Sequence, residues 1–274
     1  MIWQKWEERL RSVSSDARRE LCYLAEFVFG IPVDGFFVRF FTGDLPFPTE
    51  EQEKKMDQMI SRRCSGEPIQ YLLGKADFYG RSFVVSPGVL IPRFDTEILV
   101  QEALKVLKDG DRVLDLCAGS GCVGLTLGAE KAVSVTAVEK FDEAFSVLRK
   151  NRDAFCPQAV LIRADVLTDP LDGVYELIVS NPPYIPTDDI AGLSPEVRKE
   201  PMTALDGGKD GLDFYRVLVQ KCVPLLTSGG RLMLECGVGQ AKKIEALFSD
   251  AGFDDVRTVL DYGGVPRVVC GVLP

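Results

Sequence analysis

Residues 112–139, RVLDLCAGSGCVGLTLGAEKAVSVTAVE, decide the fold. RVLDLC is a short apolar run of the kind that forms a strand covered on both faces. It passes straight into Asp115-Leu116-Cys117-Ala118-Gly119-Ser120-Gly121, and then into CVGLTLGAE, which reads as a short helix. Gly119 and Gly121 let the backbone pass close to a ligand, and the start of the helix offers N–H groups that have no acceptor within the helix. Gly124 takes the third position of a G-x-G-x-x-G spacing, although the motif itself opens at Asp115 inside the strand. SVTAVE is the next strand, and it ends on Glu139, 18 residues after Gly121. Strand, glycine turn, helix and strand in this order make a βαβ unit, the building block of a parallel sheet.

The alternation continues downstream. FDEAFSVLRKNRDAF is a helix, AVLIRAD and YELIVS are the third and fourth strands, LDFYRVLVQKCVPLL is a helix and RLMLECG the fifth strand. A further helix, AKKIEALFSDAG, precedes DVRTVL and RVVCGVL. Only DYGGVP separates these last two, too short for a crossover helix, so they form an antiparallel hairpin in an otherwise parallel sheet of seven strands.

Upstream, residues 1–73 read as a small helical bundle. Trp3, Trp6, Leu10 and Val13 recur at helical spacing, and Ser14-Ser15 are candidate caps for a second helix carrying Leu21, Leu24, Ala25 and Val28 and ended by Gly30. Phe36 to Phe41 continue an apolar helix or turn, and Thr49-Glu50-Glu51-Gln52 is a capping-box pattern that starts a helix with Met56, Met59 and Ile60 on one face. Residues 74–92, rich in aromatic and β-branched residues with Gly at turn positions, read as a β-hairpin between this bundle and an α/β domain over residues 93–274.

The 274 residues are 46% hydrophobic and 27% charged, enough for one large domain or two smaller ones. None is histidine, which excludes Ser-His-Asp and Cys-His nucleophile systems, His-ligated zinc and His acid–base catalysis. The formal net charge of −9 is a poor match to bulk nucleic acid or anionic lipid. Eight cysteines form no C-x-x-C pair and sit mostly in apolar stretches such as LDLC and LMLEC, as buried reduced thiols of a cytosolic protein do, and no metal site is expected. There is no apolar run of 18 residues, and the opening MIWQKWEERLRSV is charged throughout, unlike a signal peptide. The expectation is a cytoplasmic protein, acting as a monomer, without a membrane partner.

Three further positions carry chemistry. In a nucleotide-binding α/β sheet an acid at the end of the second strand accepts hydrogen bonds from ribose hydroxyls, which is the role expected of Glu139. Asp165 and Val166, after the third strand, are placed to meet an adenine amine and to pack on its ring. Ser180-Asn181-Pro182-Pro183-Tyr184 follows the fourth strand, on the side of the sheet where such folds bind ligands. Asn181 precedes a proline and is pushed to extended geometry, and the two prolines cannot donate to a ladder. Free carbonyls, the Asn181 side chain and the Tyr184 ring together suit a planar –NH2 group: two acceptors for its two hydrogens and a ring against its plane. A non-catalytic nucleotide sensor or scaffold would carry the glycine loop without such an acceptor site.

DLCAGSG, the strand-end Glu139 and NPPY together resemble a class I S-adenosylmethionine-dependent methyltransferase acting on an exocyclic or amide nitrogen. GEPIQYLLGKADFYGRSFVV, VLIPRFDTEILV, NPPYIP, EPMTALDGGKDGLDFY and the closing DYGGVPRVV narrow the resemblance to the PrmC/HemK family, the protein-(glutamine-N5) methyltransferases of peptide chain release factors. The resemblance runs from about residue 66 to the end of the chain, with a helical N-terminus that matches in kind. Two places depart from the family: Phe94-Asp95 stands where Pro-Glu or Pro-Asp is usual, and Cys117-Ala118 where Gly-Thr or Cys-Thr is commoner. The resemblance implies that S-adenosylmethionine lies on Asp115, Cys117, Ala118, Gly119, Ser120 and Gly121, with Glu139 on the ribose, Asp165 and Val166 at the adenine and Asn181 beside the methionine end. It implies that the acceptor glutamine of a release factor's Gly-Gly-Gln tip lies against Asn181, Pro182, Pro183 and Tyr184, with Asn181, Pro182 and Tyr184 as the catalytic set and the helical N-terminus as the part that recognises the substrate. The acidic charge and the lack of a basic run or target-recognition domain rank the adenine-N6 reading, on DNA or RNA, second.

Overall fold

The computed structural model describes residues 2–274. The chain forms two compact units, one running up to Lys75 and including Ser194–Lys199, the other made of Ala76–Leu193 and Glu200–Pro274.

The first unit is helical: α1 (Ile2–Arg11), α2 (Ala17–Phe29), α3 (Val33–Thr42), α4 (Glu50–Cys64) and α5 (Ile69–Leu73). The helical spacing puts Trp3, Trp6 and Leu10 on one face of α1, and they are buried with Leu21 and Leu24 of α2, Phe36 of α3 and Met56 and Ile60 of α4. The Trp3 and Trp6 rings meet edge to face at 5.1 Å. The expected capping box is present: Thr49 accepts from the Gln52 N–H and the Gln52 side chain accepts from the Thr49 N–H. The start of α2 differs from expectation. Its N-cap is Asp16, without a side-chain cap, because the Ser14 hydroxyl instead accepts from the Asp16 N–H. Gly30 ends α2 in the left-handed conformation, as the sequence predicts. Arg63 of α4, 2% exposed, is held by Glu20 at 2.8 Å and by Glu196 at 2.6 Å.

In the expected hairpin region the ladder is short. β1 (Lys75–Phe78) and β2 (Arg81–Val84) pair, and residues 85–93 are irregular. Phe78 and Phe83 enter the main core. A seven-stranded sheet follows, built from β3 (Arg112–Leu116), β4 (Ser134–Glu139), β5 (Val160–Arg163), β6 (Tyr175–Ser180), β7 (Leu226–Glu235), β8 (Asp254–Leu260) and β9 (Pro266–Val272). Its order is β5-β4-β3-β6-β7-β9-β8. Only β9 is reversed, antiparallel to both β7 and β8, as the short DYGGVP connection dictates. The helices α6 (Glu97–Val106), α7 (Cys122–Glu130), α8 (Asp142–Phe155), α9 (Asp213–Cys222) and α10 (Ala241–Asp250) supply the covering layers. Successive strand residues face opposite ways, so Val113 joins one core cluster with Leu99, Leu125 and Leu148 while Leu114 and Leu116 join another with Leu218 and Ile244.

Two features of this topology position the site. The order of strands reverses at β3 and β6, which lie side by side with Leu116 opposite Ser180. The segments leaving β3 and β6 therefore emerge at the same switch point, where α/β sheets bind ligands. The long segment after β6 is organised by 3-10 turns at Thr187–Gly192 and Met202–Ala204 and by a parallel bridge between Ile185 and Asp206. No single helix among the described residues is long and apolar enough to cross a membrane.

Candidate active site

At the switch point lies a cavity of about 270 Å3, near the lower end of the usual range for small-molecule sites. Cys117, Ala118, Gly119, Ser120, Glu139, Asp165, Val166, Asn181 and Pro183 all line it, as does Asp115. Gly121, Pro182 and Tyr184 do not reach the lining. Gly121 acts from behind: its φ is +81°, and a Cβ there would lie 2.5 Å from side chains of Leu125 and Leu148, so it sets the turn without presenting a side chain. Cys117, at φ +57°, holds the left-handed conformation that glycine adopts freely. The usual cost of that for a side chain is about 1–2 kcal/mol.

The acids of the loop are tied to backbone. Asp115, 1% exposed, accepts from the Gly124 N–H at 2.8 Å, and a Cβ on Gly124 would sit 2.8 Å from the same carboxylate. Gly124 is thus glycine because Asp115 occupies the space. Burial pushes the Asp115 carboxyl up to about 7, against the pull of the Gly124 N–H, with Glu139 adding to the rise. Glu139 ends β4 as expected, and its carboxylate gathers three backbone donors: Gly119 N–H at 2.9 Å, Lys140 N–H at 2.8 Å and Phe141 N–H at 2.9 Å. A carboxylate has about four acceptor positions, so one is left open to the cavity side, and a second becomes available if Gly119 yields. Asp165 accepts from Lys140 Nζ at 2.8 Å and from the Leu167 N–H at 2.9 Å. Its carboxyl is held below the usual range by Lys140 and the Leu167 N–H, although burial opposes them as the largest single influence.

The NPPY segment presents acceptors. Asn181 Nδ2 donates to Thr96 Oγ1 at 3.2 Å, while Asn181 Oδ1 is buried and has no partner. None of the hydrogen bonds among the described residues ends on the Pro182 carbonyl. The Tyr184 carbonyl is taken by Gln240 Nε2 at 2.7 Å, and its half-buried ring packs with the second core cluster. Burial pushes the Tyr184 hydroxyl well up, with the Glu235 charge adding to the rise. Gly207 seals the far side: a Cβ there would lie 2.7 Å from Tyr184 Cα and 2.8 Å from the Pro183 oxygen, so the segment can lie against the prolines only as glycine.

Four residues not singled out by the sequence reading complete the site. Glu200, 4% exposed, accepts from the Ile91 N–H at 3.0 Å and from Arg93, which fixes the 88–93 segment along the cavity wall. Asn151 of α8 bonds to both the N–H and the carbonyl of Val84 and donates to the Ser120 carbonyl at 2.8 Å, bracing the glycine loop against β2. Thr96 accepts from Asn181 Nδ2 and lines the cavity, and Glu235, 1% exposed, ends β7. The signal for Glu235 was an acid closing the apolar strand LMLEC at the ligand-binding edge of the sheet. Asn151 and Glu200 carried no local signal. No cluster of three or more potential ligands among the described residues is arranged to hold a metal ion.

Family models match two stretches of the chain: the methyltransferase small domain over residues 91–192 and the PrmC N-terminal domain over residues 2–74. A release factor glutamine methyltransferase of Geobacter sulfurreducens is 42% identical over 258 residues, covering 93% of this chain and 89% of its own length. One of Salmonella typhimurium is 36% identical over 261 residues, covering 94% and 93%. Among solved structures, a methyltransferase from Pyrococcus furiosus superimposes with a TM-score of 0.55 at 19% identity over 79% of this chain and 98% of its own. The hMettl16 catalytic domain superimposes with a TM-score of 0.59 at 13% identity over 82% and 84%. These two likenesses concern the fold.

Proposed function

The chain belongs to the release factor glutamine methyltransferase family, and from that premise we propose that it transfers a methyl group from S-adenosylmethionine to the side-chain amide nitrogen (N5) of the glutamine in the Gly-Gly-Gln tip of peptide chain release factors, leaving S-adenosylhomocysteine. The observation that carries this reading is the acceptor pair beside the glycine loop: a buried, unpartnered Asn181 Oδ1 and a Pro182 carbonyl that no protein group engages.

The cavity fits the cofactor. Glu139, Asp165 and Asp115 make its wall acidic, which suits a cationic ligand, and Val166 and Ala118 offer apolar surface. Glu139 would hold the ribose, Asp165 and Val166 the adenine, and Cys117 to Gly121 with Asn181 the methionine end. When bound, S-adenosylmethionine supplies a methyl group on a positively charged sulfur.

The rest of the chemistry belongs to the chain. An amide nitrogen is a poor nucleophile because its lone pair is delocalised. Asn181 Oδ1 and the Pro182 carbonyl accept the two hydrogens of the substrate –NH2, which fixes the nitrogen in one orientation and raises its electron density. Positioning and preorganised dipoles do this work; no base need remove a proton before transfer, because the nitrogen becomes acidic only as the new N–C bond forms and the S–C bond breaks, and the surplus proton then passes to water. A chain without histidine can therefore carry out the step. Pro183 shapes the wall against the amide plane, and Tyr184, packed with the second core cluster, follows it outside the lining. The helical unit, residues 1–73 in this reading, recognises the release factor, and residues 93–274 carry out transfer. The enzyme acts in the cytoplasm as a monomer, without nucleic acid or membrane.

The test is incubation of the purified chain with labelled S-adenosylmethionine and release factor after nuclease treatment. Label on the Gly-Gly-Gln glutamine is expected. Transfer to DNA or RNA with none to release factor would overturn the reading in favour of adenine methylation.

A further inference from the structure

Residues 201–206 run along the rim of the cavity. Pro201, Thr203, Ala204 and Asp206 line it, while Met202 between them is half-exposed. The stretch is stiff because it is bonded to itself. The Ala204 N–H donates to the Pro201 carbonyl at 2.9 Å, and the Leu205 and Asp206 N–H groups both donate to the Met202 carbonyl, at 3.0 and 2.9 Å.

Its two ends are held differently. The far end is fastened several times over to the residues that follow NPPY. The Ile185 N–H donates to the Leu205 carbonyl and the Gly207 N–H to the Ile185 carbonyl, each at 2.9 Å; the Thr187 hydroxyl donates to Asp206 Oδ1 at 2.8 Å, and Leu205 is buried. At the near end the bonds converge on one carboxylate. Glu200 Oε2 accepts from the Ile91 N–H at 3.0 Å, and Glu200 Oε1 accepts from Arg93. Ile91 and Arg93 belong to the 88–93 stretch, of which Gly88, Val89, Leu90, Pro92 and Arg93 line the same cavity. Glu200 therefore joins two parts of one wall, through bonds that span 109 and 107 positions of chain.

The chemistry of this join asks for an acid. Pro92 and Pro201, the neighbours of the bonded residues, have no N–H to offer, so a backbone ladder cannot zip the two stretches together and a side chain has to do it. Both groups on the 88–93 side are donors, and an ionised carboxylate, which only accepts, satisfies both at once. Ile91 is 3% exposed and Glu200 4%, so neither partner of that bond has water to fall back on. A glutamine in place of Glu200 would set its –NH2 against one of the two donors.

We propose that Glu200 is a positioning residue: it latches the 201–206 stretch to the 88–93 stretch, closes the rim of the cavity around bound S-adenosylmethionine, and must let go for the cofactor to leave. The proposal rests on the reading of this cavity as the cofactor site, and it adds the group that governs how long the cofactor stays. Breaking the latch frees the near end of a stiff segment whose far end stays fastened beside NPPY. The acceptor side of the site then keeps its shape while the cofactor side opens.

The test is a chase. The full chain is loaded with labelled S-adenosylmethionine, excess unlabelled cofactor is added, and the loss of label is followed. A dissociation rate constant counts only molecules that had bound. It is not moved by a lower yield of folded protein or a lower melting temperature, which is all that a merely structural Glu200 would produce on substitution. In Glu200→Gln release is expected to be about 10-fold faster, the lower end for a lost hydrogen bond to a charged group. Arg93→Met, at a side chain 36% exposed, removes the second bond and should speed release about threefold, and Arg93→Lys, which keeps a charged donor, should restore the native rate. A native rate in Glu200→Gln overturns the proposal; should that variant not fold, a native rate in Arg93→Met does the same. Calorimetry on Glu139→Gln separates the two readings. If neither Glu139→Gln nor Glu200→Gln changes cofactor binding, the cavity is not the cofactor site. If Glu139→Gln weakens binding while Glu200→Gln releases the cofactor at the native rate, the cavity stands and the latch falls.

Discussion

Replacing Glu139 separates cofactor binding from the shape of the glycine loop. The native carboxylate receives three backbone N–H groups, and the Gly119 bond is the one that ties the loop to the end of β4. In Glu139→Gln one oxygen can still serve Lys140 and Phe141 at the start of α8, while the new –NH2 faces the Gly119 N–H, donor against donor. In Glu139→Ala all three N–H groups lose their acceptor. A hydrogen bond to a charged group contributes about 1.5–3 kcal/mol, and N–H groups bordering the cavity regain part of that from water. Glu139→Ala should therefore cost roughly 2–4 kcal/mol of stability. Both variants should weaken S-adenosylmethionine binding by about 1.5–3 kcal/mol, roughly 10–150-fold, because the acceptor proposed for the ribose is lost or inverted. Calorimetric titration gives the affinity, and melting curves with and without cofactor separate it from folding. If Glu139→Gln binds the cofactor within twofold of the native protein, Glu139 is neither the ribose acceptor nor the brace of the loop, and the reasoning fails.

Two further outcomes follow from the same geometry. Asn181→Ala should lower kcat on the order of 10²–10³-fold, and Asn181→Asp, which keeps an acceptor oxygen but adds a charge that favours the cationic ground state, should fall between Ala and Asn; rates that merely track melting temperature would reduce Asn181 to a shaper of the proline turn. The Asp115 carboxyl is raised in the folded state by burial, so its contribution to stability is full below the unfolded carboxylate pKa and is lost as pH rises through about 7. Asp115→Asn keeps an acceptor for the Gly124 N–H and should raise Tm more above neutrality than near pH 4, and equal shifts at both ends would refute the assignment.

What the sequence reveals and what it conceals divide along chain distance. The strand, glycine turn, helix and strand of residues 112–139 are written in local periodicity, and so are the thiol-free turn chemistry of NPPY and the reversal of β9, which follows from a connection too short to cross the sheet. The residues that hold the site in shape are not written locally. Glu200 reaches Ile91 across 109 positions, Asn181 meets Thr96 across 85 and Asn151 meets Val84 across 67. Their function lies in a few hydrogen bonds to distant residues, which leave no periodic trace. The same holds for Gly207, whose need to be glycine comes from the Pro183–Tyr184 backbone rather than from its own turn. Ser14 misled because a serine before a helical run can bond a turn as readily as a cap.

The buried Arg63 sets a timing constraint on synthesis. It is almost wholly enclosed and pairs with two acids, Glu20, which precedes it, and Glu196, which follows it by 133 residues. At translation rates of about 5–20 residues per second, roughly 7–27 s pass between the appearance of Arg63 and that of its second counter-ion. For nearly all of that interval the five helices are present, yet a guanidinium destined for burial has only one of its two carboxylates. The helical unit is therefore completed from the far side of the chain, after β3 to β6 have been made and before β7 to β9, so that a chain cut short before Glu196 leaves the first unit unfinished as well as the second.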